Sequence, residues 1–531
     1  VHAPYASLPA PRAHAALQTL NAIFTHGRLV SAASIHSLAA FAVLVAMQAY
    51  FPVLGVLGMM LMLFGLVMGF PLAVSFALED GATEAYDLAI LATFATGLLM
   101  WAAGRRARRD LHVSDGFLLV AATWLITPVF GALPLLFYLP ELSFTDAYFE
   151  AASGLTTTGA TVLTGLDTMP VSINLWRCFM HWVGGMGVIV LMVAVLPLLG
   201  IGGRQIFRAE TPGPMKESSL TPRIAETAKG LWGVYVVLTA GCTLALSQAG
   251  MAPWDAVIHA FSIMGLGGFS TRDASLGAFD SVPIETVTIV FALLSGINYA
   301  THYLALVRRT PRPYGEDPEL RWFFGVLGVT VVFLTVYLLE SGAYRDGALA
   351  FRHVSFHAVS LATSLGLATY DYTVWPMFAQ VWILFLSSFA ACSGSTGGGI
   401  KMMRAIILYK QVHREIVRSL HPSAVVPLRL GRQPVSDNVL HAVLAFSFMY
   451  MVSIVSLTLI LAASGLDLIT AFSGVVACIN NAGPGLAALG PAGNYQGLGD
   501  FQTWVMSFAM ILGRLEIFTL LVVLTPAFWR R

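Results

Sequence analysis

The stretch EAASGLTTTG, residues 150–159, decides the fold because the chain returns to it. HAFSIMGLGG at 259–268 and HAVSLATSLG at 357–366 repeat its Ala-x-Ser with a glycine six residues after the serine, giving the pairs Ser153/Gly159, Ser262/Gly268 and Ser360/Gly366. A fourth copy, SGVVACINNAG at 473–483, keeps the glycine alone, Gly483. The glycines stand 109, 98 and 117 residues apart, so one supersecondary unit recurs four times. Four copies of one motif predict four-fold pseudosymmetry about a common axis.

Composition identifies the solvent. The 531 residues are 57% hydrophobic and 11% charged, with a mean hydropathy of +0.76, which leaves too little polar surface to cover a water-soluble globule. Apolar runs long enough for the ~20 residues that cross a bilayer lie near 52–78, 86–103, 116–138, 173–201, 229–250, 284–307, 322–341, 376–408, 436–463 and 501–528. A further run at 30–50 is apolar enough for an extra or interfacial helix. The basic stretches GRRARR (104–109), GGRQIFRAETPGPMK (202–216), VRRTPRPYGEDPELR (307–321), KMMRAIILYKQVHREIVR (401–418) and the final WRR are expected in the cytoplasm by the positive-inside rule, with both termini. The acids Glu79, Asp80, Glu84, Glu141, Asp146 and Glu150 are expected outside. The first 35 residues show no signal-peptide succession. Cys178, Cys242, Cys392 and Cys478 have no metal or disulfide spacing and read as small buried residues.

From residue 116 onward, two spans and a basic loop alternate four times, and each outward hairpin carries a segment too apolar for an ordinary loop yet broken by glycine. This predicts a re-entrant helix followed by extended backbone, tolerated at membrane depth only inside protein or along a water-filled cavity. The expected fold is an all-α polytopic membrane protein: four pseudo-symmetric helix, pore-loop, helix repeats around a central pore, preceded by an extra two-helix unit. Boundaries fall at 1–39 (an N-terminal extension for which an amphipathic reading is open), 40–110 (the extra unit), 111–215, 216–315, 316–432 (with a broken second helix) and 433–531.

A short helix that ends at mid-membrane points the negative end of its dipole at the axis, which favours a cation. Glycine after it lets the chain turn carbonyls inward, where they can replace the hydration shell of an ion such as K+. The flanking residues, Thr156-Thr157-Thr158, Leu266-Gly267, Ser364-Leu365 and Asn480-Asn481-Ala482, are uncharged. A carbonyl filter fits them better than a carboxylate ring.

A second glycine-rich stretch, ACSGSTGGGIKMMR at 391–404, interrupts an apolar run from Pro376 to Tyr409. As one helix that run would measure roughly 50 Å against a ~30 Å hydrocarbon core. Gly394, Ser395, Thr396, Gly397, Gly398 and Gly399 have poor helix propensity, so a non-helical break is expected there. A Walker A loop fails by one position, because Ile400 stands where the lysine belongs and Met402 follows Lys401. An unwound segment beside a cation, on the cytoplasmic side of a filter, reads as a gate. Arg514, within the apolar VMSFAMILGRLEIFTLLVVL, is an ionisable group at membrane depth and so functional by default. It is expected to face the pore and meet the glycine loop through backbone carbonyls, while Glu516 points elsewhere. His181, His259 and His357 are expected to be hydrogen-bonded residues rather than proton carriers.

In this order, SGLTTTGATV (153–162), GGFSTRDAS (267–275), GSTGGGIKMMR (394–404) and NNAGPGL (480–486) resemble the Trk/Ktr/HKT superfamily of potassium transporters, in particular its TrkH branch. The resemblance implies a K+-translocating subunit of the bacterial inner membrane, a homodimer, controlled by a cytosolic ring of RCK-type TrkA subunits that carry the nucleotide, NAD or ATP/ADP; no cofactor belongs to this chain itself. It implies filter residues Thr157, Thr158, Gly159, Leu266, Gly267, Gly268, Ser364, Leu365, Gly366, Asn481, Ala482 and Gly483, with K+ held by the carbonyls of Thr158, Gly267, Leu365 and Ala482. It makes the loop with Lys401 and Arg514 the gating element. A secondary active symporter, coupled to H+ or Na+, is the alternative; inverted repeats would mark it, whereas the charge pattern predicts parallel ones. No intramembrane catalytic constellation is present in the sequence. The basic stretch 401–432 is the expected docking surface for a soluble regulator or for anionic lipid, and no nucleic-acid partner is expected.

Overall fold

The computed structural model describes residues 51–105, 112–195, 224–389, 391–431 and 433–529. The N-terminal extension 1–39, the apolar run 30–50, the basic loop 202–216 and most of GRRARR lie outside the described residues. Phe51–Leu78 and Thr83–Gly104 form the extra two-helix unit. Glycine sets their distance: a Cβ on Gly58 would lie 2.5 Å from the Gly97 carbonyl oxygen, and one on Gly97 2.6 Å from that of Gly58. Small residues let membrane helices approach this closely. The unit is tied to the rest by Asp80, which accepts hydrogen bonds from Ser75 Oγ (2.6 Å) and Ser172 N–H (2.9 Å), and by Tyr86 Oη donating to Ser172 O (2.8 Å). Burial alone would raise the Asp80 carboxyl; those hydrogen bonds outweigh it and hold the group below the ordinary carboxylate value.

After it, one succession occurs four times: a long outer helix, a shorter buried pore helix, an extended segment and an inner helix. The outer helices are Ser114–Tyr138, Ile224–Gln248, Pro318–Glu340 and Asp437–Ala463. The pore helices are Phe144–Leu155, Pro253–Gly265, Gly347–Ala362 and Leu468–Ile479. Three begin on a side-chain cap, Ser143, Asp346 or Asp467, and the second begins with a proline, whose missing N–H costs nothing there. Their last turns are almost wholly buried, while Phe76, Leu91 and Leu99 on the two-helix unit and Val237, Val329 and Phe448 on the outer helices are exposed. Apolar residues outside and ordered backbone within are what a bilayer solvent dictates.

Of the ten apolar runs, the one at 376–408 is expected to break; the described residues show breaks in three more. Among the described residues six helices are long and apolar enough to cross a bilayer without a sharp bend, and all four inner helices break. The first, Val171–Val195, has non-helical backbone at Gly187. The second bends by 90° between Val282–Gly296 and Tyr299–Arg308, and the fourth by 114° between Asp500–Arg514 and Phe518–Leu524. The third stops at Leu386 and resumes at Met402. Of these breaks, only the third stood out in the sequence as a run of glycines.

Candidate ion pathway

All four pore helices end identically. The N–H groups of Thr158, Gly267, Leu365 and Ala482 donate five residues back, to the carbonyls of Ser153 (2.9 Å), Ser262 (2.9 Å), Ser360 (2.7 Å) and Ala477 (2.9 Å). This six-to-one bond closes a helix C-terminus in the Schellman manner. It requires a left-handed residue just before the donor, and the occupants are Thr157 (φ 57°), Leu266 (φ 54°), Ser364 (φ 61°) and Asn481 (φ 50°). Left-handed backbone costs a residue with a Cβ roughly 1–2 kcal/mol, strain that only a surrounding structure can hold.

Two residues later come Gly159, Gly268, Gly366 and Gly483, at φ 82°, 88°, 78° and 81°. A Cβ on Gly159 would strike the carbonyl oxygen of Gly267; on Gly268, that of Leu365, at 2.5 Å; on Gly366, that of Ala482, at 2.6 Å; on Gly483, that of Thr158, at 2.7 Å. Each glycine thus lies against the carbonyl that precedes the next glycine in the chain, and the fourth lies against the first. The ring closes in sequence order. Every residue singled out as a filter member in the sequence is in it or on the helix end beneath it.

The ring is braced from behind. Tyr495 Oη donates to Gly483 O (2.9 Å), Asn481 Nδ2 to Thr158 Oγ1 (3.0 Å), and the His181 ring fills the space a Cβ on Gly267 would need. His181 stacks on Phe269 at 4.2 Å and lies 3.4 Å from Ser262 Oγ; its Nε2 has no partner among the described residues. His259 is satisfied at both nitrogens, by Asp255 O and Ser270 Oγ. His357 Nδ1 bonds His353 O (2.8 Å). Beside the ring, Arg177 and Glu150 pair at 2.8 Å with both side chains fully buried, Thr161 Oγ1 bonds both, and the guanidinium lies 4.4 Å from the Phe269 ring centre. Glu150, the first residue of the repeated stretch, is buried in the first pore helix. Arg177 was missed; an arginine inside the apolar NLWRCFMHW was its only signal.

Below the ring, the glycine loop touches the ends of the pore helices. Thr396 Oγ1 donates to Met264 O (3.2 Å) in the second repeat, and Gly398 N–H to Ser364 Oγ (2.8 Å) in the third. Gly397 packs on Thr363 O and Gly398 on Asn480 O, in the third and fourth repeats, where no Cβ would fit. Arg514 supplies the first: its guanidinium donates to Thr396 O (3.0 Å), Thr157 Oγ1 (3.3 Å), Gly185 O (3.2 Å) and Gly184 O. Lys401 Nζ folds back onto Gly397 O, at φ 73°. Gly394 lies against Asn298, Ser395 Oγ donates to Cys392 O, and Gly399 packs on Ser387 O and Ser388 O. Glu516 pairs with Arg404 at 2.5 Å, the Arg404 guanidinium also lying 3.9 Å from the Phe446 ring centre. All four cysteines are buried and free.

Four pore helices aimed at one ring of carbonyls, inside a shell of lipid-facing helices, define a class: a cation-transporting membrane protein. The TrkH family, described as cation transport protein, matches residues 82–530. The Trk system potassium uptake protein TrkH of Escherichia coli K12 is 43% identical over 476 residues, 90% of this chain and 98% of that one. TrkH of Halomonas elongata is 44% identical over 482 residues, 90% and 99% of the two chains. The crystal structure of the potassium transporter TrkH from Vibrio parahaemolyticus superposes with a TM-score of 0.82 at 41% identity, covering 91% of this chain and all of that one. The chain belongs to the TrkH family, a family of transporters rather than enzymes.

Proposed function

We propose that this chain is the potassium-translocating membrane subunit of a Trk-type uptake system of the bacterial inner membrane, both termini cytoplasmic. K+ passes the ring of Gly159, Gly268, Gly366 and Gly483, and the loop 394–401 with Arg514 gates it. The carrying observation is the closed ring: each filter glycine packs on the carbonyl before the next. An uncharged ring of carbonyls replaces the hydration shell of a monovalent cation without the excess charge that would trap a divalent one. The relatives are named as potassium uptake proteins, which supports K+ as the cargo.

The loop lies against the ends of all four pore helices, directly or through Arg514, and this favours a gated pore over a coupled symporter. In that position the loop blocks the path, and the guanidinium repels an approaching cation. Opening requires Thr396 and Arg514 to part. A homodimer regulated by a cytosolic RCK-type TrkA ring, which would sense NAD or ATP/ADP, completes the reading; the basic stretch 401–432, exposed over the later turns of the helix Met402–Leu420, offers its docking surface. The test is expression in a bacterium lacking its own potassium uptake: growth at micromolar K+ is expected, and failure to grow with the protein present in the membrane would remove K+ as the cargo.

A further inference from the structure

The glycine loop is held by its ends as well as by its middle. Glu319, buried in the first turn of the third outer helix, accepts two backbone N–H groups on one carboxylate oxygen: Ser393 at 2.8 Å and Met403 at 3.0 Å. Ser393 precedes the glycines and Met403 stands in the first turn of the helix that follows them, so one oxygen bridges both ends of the loop. The neighbouring elements are fixed. Asp317 caps the same outer helix through Glu319 N–H (2.9 Å) and accepts from Thr301 Oγ1 (2.9 Å) on the second inner helix. The break in that inner helix pairs with the loop too, Cys392 N–H donating to Gly296 O (3.1 Å) and Tyr299 N–H to Gly394 O (3.1 Å).

The loop thus has an anchored frame and a central span. From Thr396 to Gly399 it meets the pore helices through single neutral hydrogen bonds and glycine packing, with Arg514 on Thr396 O and Lys401 on Gly397 O as its charged contacts. The frame is a buried carboxyl group holding two N–H donors on one oxygen, and in its ionised form such bonds are roughly twice as strong as neutral ones.

We propose that Glu319 is a positioning residue for gating: its carboxylate clamps both ends of the glycine loop and so sets the balance between closed and open without touching the ion. This rests on the loop being the gate. Without the clamp, the closed arrangement holds two buried N–H donors with no acceptor, whereas a loop displaced toward the cytoplasm can hydrate them. The closed state loses, and the ring above it is unaffected.

The test is single-channel recording of the full chain in planar bilayers, comparing wild type with Glu319→Gln, Glu319→Asp, Met403→Pro and a deletion of 397–399. Glu319→Gln keeps an oxygen that can accept but removes the charge, and is expected to raise the open probability about tenfold, the scale on which a charge-assisted hydrogen bond exceeds a neutral one, with unitary conductance and K+/Na+ reversal potential unchanged. A general packing defect would move those as well. Glu319→Asp keeps the charge and should return part of the way to wild type. Met403→Pro removes one donor with the carboxylate intact, at a first-turn position where proline is tolerated; it should act in the same direction and more weakly, and it carries the test alone if Glu319→Gln does not fold. A deletion that raises flux while Glu319→Gln and Met403→Pro keep wild-type open probability overturns the clamp and leaves the gate. A deletion that leaves flux unchanged removes the gate itself, and the clamp with it.

Discussion

The ring and the inner helices beneath it share one axis and one set of repeats, yet they treat symmetry in opposite ways. In the ring, four different sequences converge on one geometry: the same helix cap, a left-handed residue, and a glycine packed on its neighbour's carbonyl. Below, four related helices diverge. The first breaks at a single glycine, the second and fourth at sharp bends, and the third over a long loop that reaches across to the other repeats. A site that coordinates an ion from all sides has to be regular. A device that blocks a path has only to be present once.

The comparison can be broken from the top. Gly483→Ala puts a methyl 2.7 Å from Thr158 O at a φ of 81°, and Gly366→Ala does the same against Ala482 O. Both should abolish K+ uptake or erase at least about tenfold of its preference over Na+, a loss of ~1.4 kcal/mol or more, read as reversal potentials; K+ selectivity surviving in both would break the equivalence of the four repeats. Next comes the brace behind the ring. Arg177→Met leaves Glu150 buried without its cation, and thermal unfolding in detergent should show a loss of about 3–5 kcal/mol. An unchanged melting temperature would mean the pair does not hold the ring.

Arg514→Ala tests the lower half. It deletes the guanidinium that joins Thr396 O to Gly184 O and Gly185 O. Tracer K+ flux should rise several-fold at unchanged K+/Na+ ratio, and flux equal to wild type would remove Arg514 from the gate. The smallest expected effect is Ser153→Ala. The serine recurs in three repeats, but its hydroxyl has no partner among the described residues, and its carbonyl is what closes the helix cap. Stability and selectivity should stay within about 0.5 kcal/mol of wild type.

The upper half was legible in the sequence because its geometry depends on residue type. A positive φ packed against backbone admits glycine and little else, so Gly159, Gly268, Gly366 and Gly483 recur at hairpin spacing. The loop was legible too, since its glycines interrupt a run too long for one span. The breaks at Ile297 and Asn298 and at Leu515 to Ile517 were not. They are set by what the exposed backbone finds to bond, as when Gly296 O receives Cys392 N–H from another repeat. Glu516 and Ile517 take positive φ although their residue types resist it. Arg177 and Glu319 were illegible for the same reason: a buried charge is explained by its partners, and those lie 27 residues away for Arg177 and 74 and 84 away for Glu319.

The most direct test is tracer flux of K+ and Na+ into liposomes carrying the wild-type chain and, separately, the chain shortened by residues 397–399. A regular ring above a single gate predicts K+-preferring uptake in both, larger in the shortened chain, with the same K+/Na+ ratio. A ratio that changes with the loop, or no flux of either ion through the shortened chain, would contradict it.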